Sequence, residues 1–338
     1  MMSRGRSSRA AGDRFAMNIL VTGGTGFIGK HVVDELLATT PAKIRLLTRQ
    51  SAPSTSRLEY VRGDIRDREL LQGMIKDCEY VVHLANSKKG REQFHPVNVD
   101  GTEHVIDGCR ASPSFKRLIH LSSVGVIGNG GGARVDEQTP CQPGNDYDKT
   151  KYQAELLVRR FSTEHPGRAV ILRPTNVFGE EDPELHLLNL FRKVKRGHFY
   201  FLGKGESDYH VNYLYVKELS GLIGPLLQRD PPGDLYIVNT PSRLVEFIAD
   251  VKSIVGSRHA DKRLPLWPVM VAAKLFDAIP KSLMRHPPVN SLKVGELTNP
   301  QVFSAGLLAD DLAWKPKDSV GSALAKLYAH YVSKGLIG

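Results

Sequence analysis

Apolar positions in the first half of the chain alternate between short runs and helical spacings. Asn18 to Val21 forms an apolar run that ends in a glycine-rich turn, after which Ile28, Val32, Leu36 and Leu37 recur along one helix face. Ile44 to Leu47 predicts a second strand, Leu58 to Val61 a weaker third and Tyr80 to Leu84 a fourth. Val97 to Cys109 fits a helix, Arg117 to Leu121 a strand, Tyr147 to Phe161 a helix and Ala169 to Leu172 a strand. Strands alternating with helices imply crossover connections and a parallel sheet. Unbroken apolar pairs such as Val81-Val82 suit strands covered on both faces. The expected class is α/β with a doubly wound parallel sheet.

The pattern loosens after Arg173. Leu185 to Lys195 predicts a helix with apolar and basic faces, and Leu235 to Val238 a late strand returning to the main sheet. From Leu244 onward helices dominate, broken at Pro265, Pro268, Pro287 and Pro288. There is no internal repeat. This divides the chain into a disordered tail (1–16), a dinucleotide-binding domain (17–182 and 209–241) and a smaller, mainly C-terminal substrate-binding domain (183–208 and 242–338). Leu264 to Ala273 is apolar but falls short of the roughly 18 residues a membrane span needs. It reads as a buried or lid-forming helix, or alternatively as a lipid-facing surface.

The turn after the first strand carries chemistry. Thr22-Gly23-Gly24-Thr25-Gly26-Phe27-Ile28-Gly29 follows a strand and opens a helix. Gly23 permits the tight turn, Gly26 lets backbone approach a pyrophosphate, and Gly29 lets the helix pack against the strand. The helix N-terminus offers free N–H groups to phosphate. The doubly wound sheet is therefore expected to be a Rossmann fold, with its cleft at the carboxyl ends of the strands. An acidic residue about 20 positions beyond the loop would bind the ribose 2′-hydroxyl of NAD. Leu46-Leu47-Thr48-Arg49 stands there instead, and Arg49 can pair with a 2′-phosphate, so NADP is favoured over NAD.

Composition narrows the partners. The chain has 338 residues, 41% hydrophobic and 24% charged, as in ordinary globular proteins. The net charge is +10, of which Arg4, Arg6, Arg9 and Arg14 against Asp13 contribute part, leaving about +7 on the rest. A moderate positive field suits phosphorylated small molecules. No RRM, KH, zinc-finger or helix-turn-helix signature points to nucleic acid. Cys78, Cys109 and Cys141 are odd in number and far apart, without metal or redox spacing. With no secretory signal and no membrane span, they imply a reduced, cytoplasmic setting. His83 and His120 sit in apolar strand contexts as core residues, and no metal site is expected.

Tyr147 and Lys151 lie four apart at the start of a predicted helix and share a face. A phenol has a pKa of about 10, and a nearby ammonium lowers it, making a usable base near neutrality. Together TGGTGFIG, HLAN, NVDGT, HLSSVGVIG, YDKTK and LRPTNVFG resemble, in order and spacing, the extended short-chain dehydrogenase/reductases, the NAD-dependent epimerase/dehydratase family. The resemblance runs from Met17 to the closing DLAWKP segment. It implies Tyr147 as acid/base, Lys151 as holder of the nicotinamide ribose, and Ser123 as orienter of the substrate hydroxyl, with Ser122 as its fallback. It implies adenine contacts from Asp64 and Ile65, and a cofactor path along Gly23, Gly26, Phe27, Ile28, Gly29, Leu84, Ala85 and Asn86. Pro174 to Val177 would approach the nicotinamide, Asn176 the substrate, and Asn98 would support the site. It also implies a homodimer built on Val97–Cys109 and Tyr147–Phe161.

Departures from the family pattern sort the chemistries. Sugar 4,6-dehydratases carry an Asp-Glu pair after the catalytic Thr, where this chain has Val124-Gly125. Epimerases usually show a Tyr where Ile127 stands. Phe191 to Gly205 resembles the segment before the sugar-nucleotide diphosphate site, with Arg192, Lys193, Lys195 and Arg196 nearby. The usual following arginine is absent from Tyr209-His210-Val211-Asn212, and Lys217, followed by Glu218, replaces the usual acidic residue. Hydride transfer on a nucleotide-linked sugar is the first reading. A hydroxysteroid- or flavonoid-ketone-type dehydrogenase/reductase of an apolar alcohol, suggested by Arg49, Ile127 and an apolar wall from LPLWPVMVAAKLF, is the second. A catalytically silent dinucleotide-binding sensor is the third.

Overall fold

The computed structural model describes residues 17–50, 52–88, 90–128, 134–203, 209–279, 291, 294–295, 298 and 300–337. The expected tail at 1–16, the end of the segment closing at Gly205, and Pro287-Pro288 lie outside them. The strands in chain order are β1 (Met17–Thr22), β2 (Ala42–Thr48), β3 (Leu58–Arg62), β4 (Tyr80–His83), β5 (Arg117–Leu121), β6 (Arg134–Val135), β7 (Ala169–Pro174), β8 (Asn176–Phe178), β9 (Tyr200–Leu202), β10 (His210–Tyr215), β11 (Leu235–Val238), β12 (Thr240–Arg243), β13 (Lys262–Leu264) and β14 (Val302–Phe303). The helices are α1 (Phe27–Thr39), α2 (Arg68–Ile75), α3 (Arg91–His95), α4 (Gly101–Ala111), α5 (Asp146–Glu164), α6 (His186–Lys195), α7 (Val216–Gln228), α8 (Leu244–Val255), α9 (Leu266–Asp277), α10 (Gly306–Leu312) and α11 (Val320–Ser333).

Seven strands form one sheet in the order β11-β7-β5-β4-β1-β2-β3, and every neighbouring pair is parallel. The Rossmann expectation holds, including the return of Leu235–Val238 to the sheet. Chain order runs outward in one direction from β1 to β3 and in the other from β4 to β11, so the switch point lies between β1 and β4. Ligands of open α/β sheets sit beyond the strand ends at such a point. Here it is flanked by the glycine turn after β1 and by Leu84-Ala85-Asn86 after β4. Thr22 pairs in register with His83, and its hydroxyl meets His83 Nδ1 at 2.7 Å, fixing the two strand ends at one level.

Helix starts follow local capping chemistry. Asp67 accepts from the Leu70 N–H at α2, Asn145 from Asp148 at α5, and Ser319 from Ser322 at α11. The predicted helix Val97–Cys109 is reached through a π-helical turn at Pro96–Asp100 that runs into α4. Beyond the main sheet, a second apolar cluster joins α6, α8 and α11 through Leu188, Phe191, Phe247, Val251, Leu324 and Tyr331.

One sequence alternative fails. A buried helix at Leu264–Ala273 is not what forms, since α9 buries only Ala273 fully. Its Leu266, Val269 and Met270 pack beside Leu202, Ala273 and Val294, while Trp267, Val271 and Leu275 are exposed. The segment is apolar all round, so composition could not tell which face lies inward.

Candidate active site

The glycine turn is built for close approach. Gly23 has φ of 72°, and a Cβ there would sit 2.6 Å from Ala85 N. At Gly29 a Cβ would lie 2.1 Å from the Gly23 carbonyl oxygen. The third glycine therefore lets the helix close on its own loop, rather than on the strand as the sequence suggested. Gly26 occupies the N-cap of α1 with no side-chain cap, and no acidic residue stands in the first turn. Its leading N–H groups remain for an anion. These residues fit a dinucleotide pyrophosphate. Phe27 and Ile28 begin the helix half-buried beside the turn.

At the adenosine end, Arg49 is exposed just past β2. The Asp64 carboxylate is gripped by Arg66 through Nε at 2.8 Å and Nη2 at 2.9 Å. The Arg66 hydrogen bonds hold Asp64 below the usual carboxylate range, and Arg49 adds a weaker electrostatic contribution. Ile65 turns its buried side chain onto Gly101, and its carbonyl meets His104 Nδ1 at 3.2 Å. Arg66 escaped the sequence reading. The one available signal was its place two residues after Asp64.

Tyr147 Oη donates to Asn86 Oδ1 at 3.4 Å, and its ring meets Phe94 edge-on at 5.9 Å. Asn86 thereby links the loop after β4 to the start of α5. On the other side, a Cβ on Gly125 would reach within 2.3 Å of Asp148 Oδ1, so the turn after β5 lies against the same helix start. Ser123 caps that turn, its Oγ accepting from Gly125 N at 3.0 Å. Ser122, the fallback for orienting a substrate hydroxyl, is buried instead, and its Oγ donates to Glu155 Oε2 at 2.7 Å. Asn98 braces the site from below, accepting from Ser87 N at 2.7 Å and donating to Thr150 Oγ1 at 3.0 Å.

The electrostatics differ from the sequence expectation. Burial, with a smaller effect from Asp148, pushes the Tyr147 phenol well above its ordinary value. Lys151 is buried and donates from Nζ to the Leu121 carbonyl at 2.5 Å. Burial pushes its pKa down to about 8, with Glu155 acting in the opposite direction. The ammonium is thus turned to the end of β5, and the phenol is held protonated at neutrality.

Pro174 is buried at the end of β7, Val177 is half-buried and Asn176 is exposed at the start of β8. Lys193 and Arg196 are exposed near the end of α6, while Arg192 Nη2 donates to the Leu336 carbonyl at 2.6 Å. Lys217 pairs with Glu180 at 3.2 Å. Glu218 is buried and accepts the Lys317 and Asp318 N–H groups, latching the C-terminal segment. Among the described residues, no three His, Cys, Asp or Glu side chains converge as metal ligands, and no helix is long and apolar enough to cross a membrane.

A profile of the NAD dependent epimerase/dehydratase family matches residues 19–238. The chain belongs to this family. It is therefore an extended short-chain dehydrogenase/reductase, of a family of NAD-dependent enzymes. It is 27% identical over 297 residues to the N-acetyl-alpha-D-glucosaminyl-diphospho-ditrans,octacis-undecaprenol 4-epimerase of Escherichia coli O157:H7, covering 85% of this chain and 87% of that protein. It is 25% identical over 335 residues to the 3beta-hydroxysteroid-dehydrogenase/decarboxylase isoform 1 of Arabidopsis thaliana, covering 88% and 75%. The crystal structure of a UDP-glucose 4-epimerase with UDP-glucose from Thermotoga maritima superposes with a TM-score of 0.69 at 22% identity, over 95% of this chain and all of that one.

Proposed function

We propose that this family member transfers hydride at a secondary alcohol or ketone carbon of a nucleotide-linked sugar, using Tyr147, Lys151 and Ser123. The observation that carries the reading is one continuous line of contacts. The Gly23 backbone lies against Ala85, Asn86 meets the Tyr147 hydroxyl, and Asp148 lies against the Ser123–Gly125 turn. The dinucleotide turn and the proton-transferring phenol are thereby built on adjoining backbone, and such positioning supplies much of an enzyme's acceleration.

The bound nicotinamide cofactor supplies the hydride acceptor or donor. Tyr147 exchanges a proton with the substrate oxygen, and its protonated phenol suits donation to a ketone. Ser123 orients that oxygen. Lys151, whose pKa lies near 8, supplies a mobile charge that can turn from the Leu121 carbonyl toward the ribose. Replacing Tyr147 by Phe removes the proton path and should lower turnover by roughly 10²–10⁴-fold while leaving dinucleotide affinity nearly unchanged. A wild-type rate in Tyr147→Phe rejects the assignment. Dinucleotide binding without turnover by the wild type across a substrate panel would favour a sensor.

The preferred cofactor in this reading is NADP. Exposed Arg49 stands beyond β2 within electrostatic range of Asp64, where a 2′-phosphate would seek a guanidinium. Arg49→Ala should weaken NADP binding and leave NAD binding near its starting value, read by titration of both. A wild-type preference for NAD ends it. A second reading, reduction of a larger apolar alcohol, is favoured by the lack of the usual arginine in Tyr209-His210-Val211-Asn212, by Lys217 where an acidic residue is usual, and by the hydroxysteroid relative.

A further inference from the structure

Buried polar side chains end the two strands on either side of the switch point. Thr22 closes β1 and His83 closes β4, and Thr102 on α4 is buried beside them. The His83 ring meets a hydroxyl at each nitrogen: Thr22 Oγ1 is 2.7 Å from Nδ1, and Thr102 Oγ1 is 2.9 Å from Nε2. Burial pushes the pKa of this ring down to about 3, so it is neutral at pH 7. A neutral imidazole has one N–H and one bare nitrogen, so one hydroxyl must accept and the other must donate.

The surrounding bonds decide which. Thr102 Oγ1 lies 2.6 Å from the Asn98 carbonyl oxygen, and a carbonyl has no proton to give. The Thr102 hydroxyl proton is therefore committed there, and toward His83 that hydroxyl can only accept. Nε2 then carries the ring proton, and bare Nδ1 accepts from the Thr22 hydroxyl. Thr22 Oγ1 in turn takes the Ala85 N–H at 3.4 Å. The chain runs in one direction, from the Ala85 N–H through Thr22, His83 and Thr102 to the Asn98 carbonyl.

Both ends of this chain hold the loop after β4. Ala85 is tied to Thr22, and the Ser87 N–H to Asn98 Oδ1 at 2.7 Å. Between them Asn86 receives the Tyr147 hydroxyl at 3.4 Å, long for an O–H···O bond, so a small shift of the loop breaks it. Ala85 is also the residue that the Gly23 backbone lies against. One displacement of the loop thus acts on the glycine turn and on the phenol together.

We propose that His83, held as its Nε2–H tautomer, is a positioning residue that sets the Ala85–Asn86–Ser87 loop at the level joining the dinucleotide turn to Tyr147. It acts from beneath the loop, through Thr22. Its effect on turnover rests on the hydride-transfer reading, whereas its tautomer and its effect on dinucleotide affinity do not.

Isotope-edited NMR of the histidine rings in the full chain should find His83 as the Nε2–H tautomer at pH 7, its signal assigned by its loss in His83→Phe. His83→Phe and Thr22→Val each remove the Thr22–Nδ1 bond with little change of volume, and each should weaken NAD and NADP binding roughly fivefold. His83→Asn offers an acceptor oxygen near the place of Nδ1, and Thr22→Ser keeps the hydroxyl, so both should restore wild-type affinity. On any substrate that the wild type turns over, the two damaging variants should lower kcat roughly tenfold and leave KM near its starting value. His120→Leu, whose ring lies 5.2 Å from His83 but outside the chain, should change neither affinity nor kcat. Wild-type near-UV circular dichroism in each variant shows that it folds. An Nδ1–H tautomer overturns the proposal, as does wild-type affinity in both His83→Phe and Thr22→Val. So does failure of both conservative variants to restore binding, for the ring is then a packing residue. A wild-type rate in Tyr147→Phe would reject the hydride-transfer reading and leave the affinities to decide on His83. An inactive Tyr147→Phe beside an undiminished kcat in His83→Phe would reject the positioning role alone.

Discussion

His120 lies in the central sheet with neither ring nitrogen hydrogen-bonded among the described residues, 5.2 Å centre to centre from His83. His83 differs, with Thr22 and Thr102 hydroxyls on its two nitrogens. Burial, reinforced by Lys151, pushes His83 down to about 3 and His120 well below its ordinary value. Both rings therefore stay neutral in the folded chain while an unfolded chain takes up protons below about pH 6.5. The unfolded state binds more protons in that window, so stability falls as pH drops from about 6.5 toward 3, by about 1.4 kcal/mol per pH unit for each ring. His120→Leu removes one of the two contributions together with an unsatisfied polar ring. Urea denaturation should find the variant at least as stable as wild type at pH 7, with a loss between pH 7 and pH 5 smaller by about 2 kcal/mol. An equal loss in both proteins would mean that the ring is protonated in place.

Three elements are tied beneath the Ser123–Gly125 turn by a buried network absent from any local motif. Glu155 on α5 accepts from Ser122 past β5 and from Arg173 on β7, whose Nη2 is 2.6 Å from Glu155 Oε1 and 2.9 Å from Cys141 Sγ. Arg173 and Glu155 are both fully buried. Removing one partner strands the other charge, so Glu155→Ala should cost about 3–5 kcal/mol, whereas Glu155→Met/Arg173→Met should recover most of it. Urea midpoints of the two variants measure this, and equal midpoints would show that the pair is not energetically coupled. The network shows where sequence reading stops. β1, β4 and β7 were legible because strands covered on both faces read as unbroken apolar runs, Ile19–Val21, Val81-Val82 and Ala169–Leu172. Ser123, Tyr147 and Lys151 could be named as candidates because motif spacing survives in one dimension. Glu155 and Arg173 were not, since two charges on separate elements look like solvated residues until folding joins them. α7 also escaped, because Gly221, Gly224 and Pro225 read as breakers, yet the burial of Leu219, Leu222, Ile223, Leu226 and Leu227 holds the helix together. Tertiary packing outweighs propensity there.

At the scale of the molecule, two exposed apolar features differ in the charges around them. α9 is framed by basic residues. Leu156 on α5 is instead 46% exposed beside the pair α4 and α5, whose flanking charges are internally matched, as in Arg110 with Asp107 and Arg160 with Glu164. A self-complementary surface needs such balance, because a two-fold interface sets each patch against its own copy and an unbalanced one would repel itself. A homodimer of the kind the family resemblance implies would therefore be expected at α4 and α5. Leu156→Asp places a carboxylate at this apolar contact and brings it near its symmetry mate, where desolvated like charges cost several kcal/mol. Light scattering should find a dimer for the wild type and a mass close to the monomer for Leu156→Asp, with dinucleotide binding retained because the glycine turn lies on other elements. A monomeric wild type, or a dimer untouched by the substitution, would sink this assignment. Loss of the dimer on Trp267→Ser/Leu275→Ser would move the interface to α9.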